Sequence, residues 1–325
     1  MVCGGDDPSN RGCLGVKRMA SMVRFLQISD THWSFDPLSL PSCQQQIDTA
    51  KRFESLCKWI ESLRDPIDFI VHTGDWVHRG HVAGGSGDST RRVWELAQRL
   101  GFPVLTAVGN HDHRSVLREC LVNSFAQLSG NASVTSPDEM GPTLLGISDG
   151  EPLKLLCGAD TSVEDDRLCY RFSCKGRDFL VLDARDSQSI DPRGRLDTDQ
   201  LSALERYFAS STNSCTVFLH YPPIELDCQW IDRTMCVENG GDLHSLFRKY
   251  RDRVRGVFFG HIHRPISAMV DGVLYASCGS SAMHFPNFPS LSEVEFEADP
   301  LAFANYVTIG VKSVLIKPQW VETSR

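Results

Sequence analysis

The chain has 325 residues, 41% hydrophobic and 23% charged, with a formal net charge of −8. This is the balance of an ordinary globular protein with a sizeable core, and its acidity disfavours a surface that coats a nucleic-acid duplex. No run approaches the ~18 apolar residues of a membrane span, so no membrane partner is expected.

Residues 1–21 carry Asp6, Asp7, Arg11, Lys17 and Arg18 without a continuous apolar segment. They read as a disordered N-terminal extension rather than a signal peptide, and Met19 and Met22 are alternative starts. The twelve cysteines are scattered, with no C-x-x-C, and Cys57, Cys120 and Cys215 occupy apolar positions. They read as buried thiols in a reducing, cytoplasmic compartment rather than as a disulfide framework. Cys169 and Cys174 read as two positions on one strand edge.

In chain order, Val23, Phe25, Leu26 and Ile28 predict a short buried strand ending at Asp30. Residues 33–43, with Pro37 and Pro41, predict a loop. Over 44–64, Ile47, Ala50, Phe53, Leu56, Cys57, Ile60 and Leu63 recur at helical spacing, and Pro66 stops the helix. Ile67, Phe69, Ile70 and Val71 predict a second strand ending at Asp75. After a Gly-rich loop over 80–87, Asp88 or Ser89 caps a helix running to Leu100. Its inner face carries Val93, Leu96, Ala97 and Leu100, and Gly101 ends it. Residues 103–108 predict a third strand leading to Asn110 and His111. This strand–helix alternation predicts crossover units on a mostly parallel sheet, hence an α/β fold.

A further helix is predicted over 115–128. From 129 to about 165 Gly, Pro, Ser and Asp dominate, broken by the apolar run 153–157, as in a lid or a disordered insertion. Strands over 168–172 and 179–183 flank the hairpin turn Lys175-Gly176-Arg177. Asp197 with Gln200 resembles a capping box, opening a helix with Leu201, Leu204, Tyr207 and Phe208 inward. Strand 216–219 leads to His220, a helix is expected over 242–250, and strand 254–259 leads to His261 and His263. Late strands are expected over 273–276 and 306–315. The expected organisation is therefore an extension over 1–21, a main domain over 22–284 with an insertion near 129–165, and C-terminal strands over 285–325. Those last strands extend a sheet or form a partner surface.

Asp30, His32, Asp75, Asn110, His220, His261 and His263 all fall at predicted strand ends, where α/β sheets build their sites. Two Asp, one Asn and four His form an oxygen and nitrogen ligand set without thiolate. Such a set suits a pair of hard or borderline divalent metals rather than a structural zinc knot. Asp30 and His32, two residues apart, lie on one side of an extended segment and can grip one ion, and His261 and His263 share that spacing. Two cations about 3.5–4 Å apart neutralise phosphoryl oxygens and ionise a bridging water at neutral pH, so the set predicts a phosphoester hydrolase. An anionic substrate is compatible with the acidic chain, because bound cations dominate the field inside such a site.

Asp30-x-His32, Gly74-Asp75, Gly109-Asn110-His111, His220-x-Pro222 and Gly260-His261-x-His263, in this order, resemble the calcineurin-like metallophosphoesterases over roughly Val23 to Ser280. The resemblance implies a two-sheet α/β sandwich of mixed sheets flanked by helices. It implies that Asp30, His32, Asp75 and His263 hold one metal and that Asp75, Asn110, His220 and His261 hold another, with Asp75 as the bridge. The implied ions are Mn2+, Fe2+/Fe3+ or Zn2+, with the hydroxide between them as nucleophile. His111 is implied as the catalytic general acid that protonates or stabilises the leaving alkoxide. Asn110 and His111 are implied as the substrate-binding pair.

Four stretches are most similar to class III cyclic-nucleotide phosphodiesterases and their glycerophosphodiester-cleaving relatives. They are Asn110 to Arg114, Gly194-Arg195-Leu196 before Gln200-Leu201, His220 to Pro223, and Val237-Glu238-Asn239-Gly240. Relatives often carry a second His where Tyr221 stands. The implied function is hydrolysis of small phosphodiesters, 3′,5′-cyclic nucleotides first, with glycerophosphodiesters or nucleotide pyrophosphates as the alternative. A homodimer is the assembly such relatives often form. The run Gly74 to Gly80 also resembles serine/threonine phosphoprotein phosphatases, but these carry Asp at the His78 position and lack the Gly-His-x-His ending. A non-catalytic scaffold should have lost ligands, and none is missing here; a nuclease is disfavoured by the acidic balance.

His72, His78, His81, His244 and His284 read as ordinary polar residues. Asp112 is expected to orient nearby backbone or a ligand His, and Asp183 to serve a turn or support the site. Trp33 and Trp76 are expected to pack rather than to stack a base. His113 and Arg114 are open between a substrate contact and a solvated helix start. Phe102, Phe208 and Phe247 are expected in the core.

Overall fold

Short runs of β-branched and aromatic residues, punctuated by Gly, Asp and Pro, pair into two stacked sheets. The computed structural model describes residues 22–34, 47–78, 87–128, 154–155, 167–186, 192–297 and 301–322. Its strands are β1 Val23–Ile28, β2 Phe69–His72, β3 Val104–Thr106, β4 Lys154–Leu155, β5 Tyr170–Cys174, β6 Arg177–Val181, β7 Cys215–Phe218, β8 Val254–Phe259, β9 Ser267–Val270, β10 Val273–Ser277, β11 Ala302–Ile309 and β12 Val314–Val321. Its helices are α1 Thr49–Ser62, α2 Asp88–Gln98, α3 Arg114–Leu128, α4 Thr198–Ser210, α5 Gln229–Thr234 and α6 Gly240–Lys249. Outside the described residues lie the 1–21 extension, most of the 33–43 loop, the Gly-rich loop up to 86, His81, and the 129–165 stretch apart from β4.

One sheet has the order β12-β11-β1-β2-β3 and the other β4-β5-β6-β7-β8-β10-β9. Strands β1, β2 and β3 run parallel, as helical crossovers require. So do β6, β7, β8 and β10. Both sheets are nonetheless mixed, as the resemblance implies, and not mostly parallel, as the strand–helix alternation alone suggests. Tight turns join β5 to β6, β9 to β10 and β11 to β12, and a tight turn can join only antiparallel strands. At the first of these, Lys175 (φ 49°) and Gly176 (φ 71°) both adopt the left-handed conformation that a two-residue hairpin needs.

The core between the sheets is aromatic. Phe25 of β1 stacks on Phe69 of β2 at 5.1 Å and meets Phe218 and Phe258 of the facing sheet edge-on at 5.4 and 5.5 Å. Burying each such ring contributes roughly 1.5–3 kcal/mol. A second apolar cluster, with Leu204, Phe208, Leu243 and Phe247, seats α4 and α6 on the second sheet, while Phe102 is half-buried. Polar ties also cross the sandwich, among them one at Gln27. Gln27 Nε2 donates to the Phe259 carbonyl at 2.9 Å, and Gln27 Oε1 accepts from Asn305 Nδ2 of β11 at 3.0 Å. Satisfied polar groups at this depth pin one sheet's register against the other.

Caps set the helix limits. Asp48 accepts from Lys51 N at 3.0 Å, so α1 begins at Thr49 and Ile47 precedes it. In α2 the cap position is Gly87, in the left-handed region, rather than Asp88 or Ser89. Asp197 caps α4 through Gln200 N at 2.8 Å, but the Gln200 amide serves the Asp183 carbonyl and the Asp197 carboxylate instead of closing a capping box. Residues 306–315 are not one strand: they end β11, turn at 310–313 and begin β12. Helix α5 and edge strand β9 have no counterpart in the sequence reading, being six and four residues long and thus too short for a clear period. Among the described residues no helix is long and apolar enough to cross a membrane.

Candidate metal centre

Parallel neighbours present their carboxyl ends on one edge, so the loops after β1, β2 and β3 face those after β7 and β8 across the sandwich. Asp30 and His32 follow β1, Asp75 follows β2, Asn110 and His111 follow β3, His220 follows β7, and His261 and His263 follow β8. The structure brings all eight together. His32 Nε2 lies 3.1 Å from His263 Nε2 and 3.6 Å from Asp75 Oδ2. His220 Nε2 lies 3.3 Å from both Asp75 Oδ2 and Asn110 Oδ1, and His263 Nε2 lies 3.5 Å from Asp30 Oδ1. Asp30, His32 and His263 form one potential metal-holding group, and Asp75, His220 and His261 a second.

The convergence is not that of extended segments. Asp30, His32, Asp75, His261 and His263 all have positive φ, at 52°, 42°, 60°, 69° and 52°. Such conformations cost about 1–3 kcal/mol each outside glycine and persist where surrounding contacts over-determine them. Here Asp30 N donates to the Gly74 carbonyl and His32 N to the Asp75 carbonyl, both at 3.0 Å. The Asp30 carboxylate accepts from His261 N at 3.0 Å. Asp112 is buried and binds backbone: Oδ2 accepts from Asp75 N and Gly109 N at 2.9 Å, and Oδ1 from Trp76 N at 2.8 Å. The packing leaves no room for a side chain at Gly74 and Gly109. A Cβ on Gly109 would strike the Asp75 carboxylate, and one on Gly74 (φ 98°) would come within 2.5 Å of His220 Nδ1.

Carbonyls aim the imidazoles. His220 Nδ1 faces the Thr73 carbonyl at 2.7 Å, His263 Nδ1 the Met283 carbonyl at 3.0 Å, and His261 Nε2 the Pro192 carbonyl at 2.8 Å. A carbonyl can only accept, so each facing nitrogen carries the proton and the opposite nitrogen offers a lone pair to the centre. The segment just after Pro192 joins two of the four stretches singled out in sequence. Glu238 N donates to the Gly194 carbonyl at 2.8 Å, and Asn239 exchanges bonds of 3.0 and 2.7 Å with the Leu196 backbone. Tyr221 packs its ring on His220 and His261 at 4.9 and 4.8 Å.

Burial pushes the Asp30 carboxyl up to about 7. Burial works on Asp75 too, but His220 and His111 beside it hold it well below the carboxylate range. Burial drives His32 and His261 well below the ordinary imidazole value and His263 down to about 3. For His220 burial is outweighed by Asp75, which raises it to about 9. Two carboxylates are thus fully buried, and of the imidazoles in contact with them only His220 is raised toward a cation, while burial makes His32 and His263 poor ones. A buried anionic set of this kind calls for a compensating positive charge, and neutral His, Asp and Asn suit hard or borderline divalent ions. The residues therefore fit a divalent metal pair.

Around the centre, His111 N donates to Asp75 Oδ1 at 2.9 Å and His111 Nδ1 faces the His78 carbonyl at 2.6 Å. His78, read from sequence as an ordinary polar residue, belongs to the site: its ring stacks on His111 at 5.0 Å, and its Nδ1 lies 3.4 Å from His32 Nδ1. A third potential metal-holding group, His32, His78 and His111, includes it. The nearby Gly74-Asp75 motif was the available signal. Arg114 is tied to Asp183 at 2.7 Å and to the Arg185 carbonyl at 2.5 Å, which engages its guanidinium with protein rather than leaving it at a solvated helix start. His113 instead pairs with Ser115 at 3.1 Å. Trp33 and Trp76 are buried packing groups, Trp76 stacking on His72 at 3.9 Å. His284 is buried against the Ser280 carbonyl, and His244 bonds Tyr275 and Asp271. A pocket of about 580 Å³ opens from the centre.

Residues 23–265 match the sequence model of the calcineurin-like phosphoesterases. A probable cyclic nucleotide phosphodiesterase from Fibrobacter succinogenes is 23% identical over 85% of this chain and 86% of its own length. A 3′,5′-cyclic-nucleotide phosphodiesterase from Nostoc sp. is 22% identical over 81% of this chain and 80% of its own. A 3′,5′-cyclic adenosine monophosphate phosphodiesterase from Vibrio vulnificus is 22% identical over 81% and 78%. The crystal structure of a dimetal phosphatase from Danio rerio superposes with a TM-score of 0.56 at 16% identity, over 90% of this chain and 98% of that one. It shows the same fold.

Proposed function

The chain belongs to the calcineurin-like phosphoesterase family, and on that premise we propose that this metal-dependent phosphoester hydrolase cleaves small phosphodiesters, 3′,5′-cyclic nucleotides first. The observation that carries the reading is the meeting of Asp30, His32, Asp75, Asn110, His220, His261 and His263 at one buried point that opens into a pocket. The printed activities of the Nostoc and Vibrio relatives support the choice of substrate.

Asp30, His32, Asp75 and His263 would hold one ion, and Asp75, Asn110, His220 and His261 would hold the other, so that Asp75 would serve both. When bound, two divalent ions of the Mn2+, iron or Zn2+ class neutralise phosphoryl oxygens and acidify water to supply the hydroxide nucleophile. The rest is work for the chain. The Thr73, Met283 and Pro192 carbonyls keep three imidazoles in the ligating tautomer. Asp112 holds the Gly74-Asp75-Trp76 backbone in register with Gly109. Asn110 and His111 contact the phosphoryl group. His111, its Nδ1–H directed at the His78 carbonyl, would give the second proton of its imidazolium form from Nε2 to the leaving alkoxide and be left as the neutral ring. Buried thiols at Cys215, Cys228, Cys236 and Cys278 support a reducing, cytoplasmic setting.

The test is a panel of cyclic AMP, a glycerophosphodiester and bis-p-nitrophenyl phosphate, compared by kcat/KM after metal reconstitution. Cyclic AMP should lead. Turnover that survives exhaustive chelation, or a preference for the glycerophosphodiester, would overturn the reading.

A further inference from the structure

The pocket has two unlike walls. One is the metal centre; the other is apolar, and much of it comes from chain beyond residue 265, where the family match ends. Phe285 stacks on the His263 imidazole with centroids 4.1 Å apart and planes 15° from parallel. Phe296 then meets Phe285 edge-on at 5.2 Å and 84°. Three rings thus step outward from the metal centre, and the last is 40% exposed while lining the pocket. Helix α5 contributes Trp230, which packs edge-on against Phe285 at 5.8 Å.

Phe296 is held there by charge. Arg264, the residue after His263, makes a two-bonded pair with Glu297 at 2.8 and 2.7 Å, and Glu297 N donates to the His284 carbonyl at 3.0 Å. A bidentate pair fixes orientation as well as distance, so the ring next to Glu297 is tied to the backbone that carries a candidate ligand. Pre-positioning an exposed aromatic face beside a polar centre suits a ligand with a flat π-surface one short linkage from its phosphate.

We propose that this wall is a nucleobase subsite, in which the base stacks on Phe296 while the phosphoryl group lies at the metal centre. The proposal deepens the phosphodiesterase reading and rests on it for the placement of the phosphate. It separates nucleotide substrates from glycerophosphodiesters, which have no ring to stack. Arg264 and Glu297 act as positioning residues.

The test uses the full chain loaded with Mn2+ and two variants, Phe296→Ala and Phe296→Trp. Phe296 is partly exposed, so both should fold, which melting curves check. Calorimetry compares AMP with ribose 5-phosphate, which differ by the base, and kinetics compare cyclic AMP with glycerophosphoethanolamine. Phe296→Ala should weaken AMP about 10-fold relative to ribose 5-phosphate, the loss of one base–aromatic stack. It should also lower the kcat/KM ratio of cyclic AMP to glycerophosphoethanolamine by a similar factor, through KM rather than kcat. Phe296→Trp should keep both preferences. Equal losses for both members of either pair, or a wild type that binds AMP no tighter than ribose 5-phosphate, would overturn the subsite. A wild type that prefers AMP yet hydrolyses no phosphodiester would uphold the subsite and overturn the phosphodiesterase reading.

Discussion

His32 Nε2 and His263 Nε2 lie 3.1 Å apart at the base of the pocket, with a carboxylate oxygen of Asp75 3.6 Å from the first and one of Asp30 3.5 Å from the second. Burial keeps both rings in the neutral form, so a proton is a poor bridge between them. A divalent cation is a good one. Chelation should therefore silence the enzyme reversibly, with Mn2+ restoring it, and should lower its thermal stability. Metal at 100 times its Kd stabilises a folded protein by about 2.7 kcal/mol. Melting curves with and without chelator check this; an unchanged transition would contradict it.

Asp75→Asn should abolish turnover and weaken metal binding. Asp75 stands within 3.6 Å of His32 and 3.3 Å of His220, one from each proposed ligand set, which is the geometry the proposed bridging role requires. Metal analysis decides: two ions at full occupancy in this variant would remove Asp75 from the bridging role.

His111→Ala should leave the metals in place and slow the chemical step by about 10²–10⁴-fold, the usual loss for a general acid. The effect should shrink on an ester with an activated leaving group, which needs no proton. Unchanged kcat on an unactivated diester would end this assignment.

Asp112→Ala should destabilise the fold and scatter the centre without touching a ligand. It leaves three buried N–H groups without their acceptor, those of Asp75, Trp76 and Gly109. At about 1–3 kcal/mol each, the loss should reach about 3 kcal/mol or more. Denaturant unfolding measures it; a change under about 1 kcal/mol would show that other groups take over these donors.

Gly109→Ala places a methyl group against the Asp75 carboxylate and within 2.5 Å of the Asp75 backbone nitrogen. Overpacking of this kind costs about 1–3 kcal/mol, and the strand-end loop should yield by displacing Asp75. Metal content should fall together with stability. Wild-type metal content in a folded variant would mean that the loop gives way elsewhere.

Much of the architecture was legible along the chain. The apolar runs before Asp30, Asp75, Asn110, His220 and His261 are strands because a buried strand needs little more than such a run between turn residues. Pairing direction was less legible. It depends on whether a connection is a tight turn or a crossover, and β9, α5 and the turn at 310–313 are too short or too locally ambiguous to announce themselves. His78 looked ordinary because nothing in its neighbours' spacing reveals that its carbonyl serves His111.

What the sequence by itself determined is the cast of the centre. Asp, Asn and His at five strand ends follow from local patterning, because each strand end is a local event. What only the tertiary structure decided is the form these residues take. Left-handed backbone at five of them is held by bonds from loops up to 231 residues away, such as the one from His261 N to Asp30. The imidazole tautomers are set by carbonyls of Thr73, Pro192 and Met283. The second wall of the pocket is built from α5 and residues 285–296. None of these leaves a local trace, since each is a contact between segments that meet only after the two sheets have stacked.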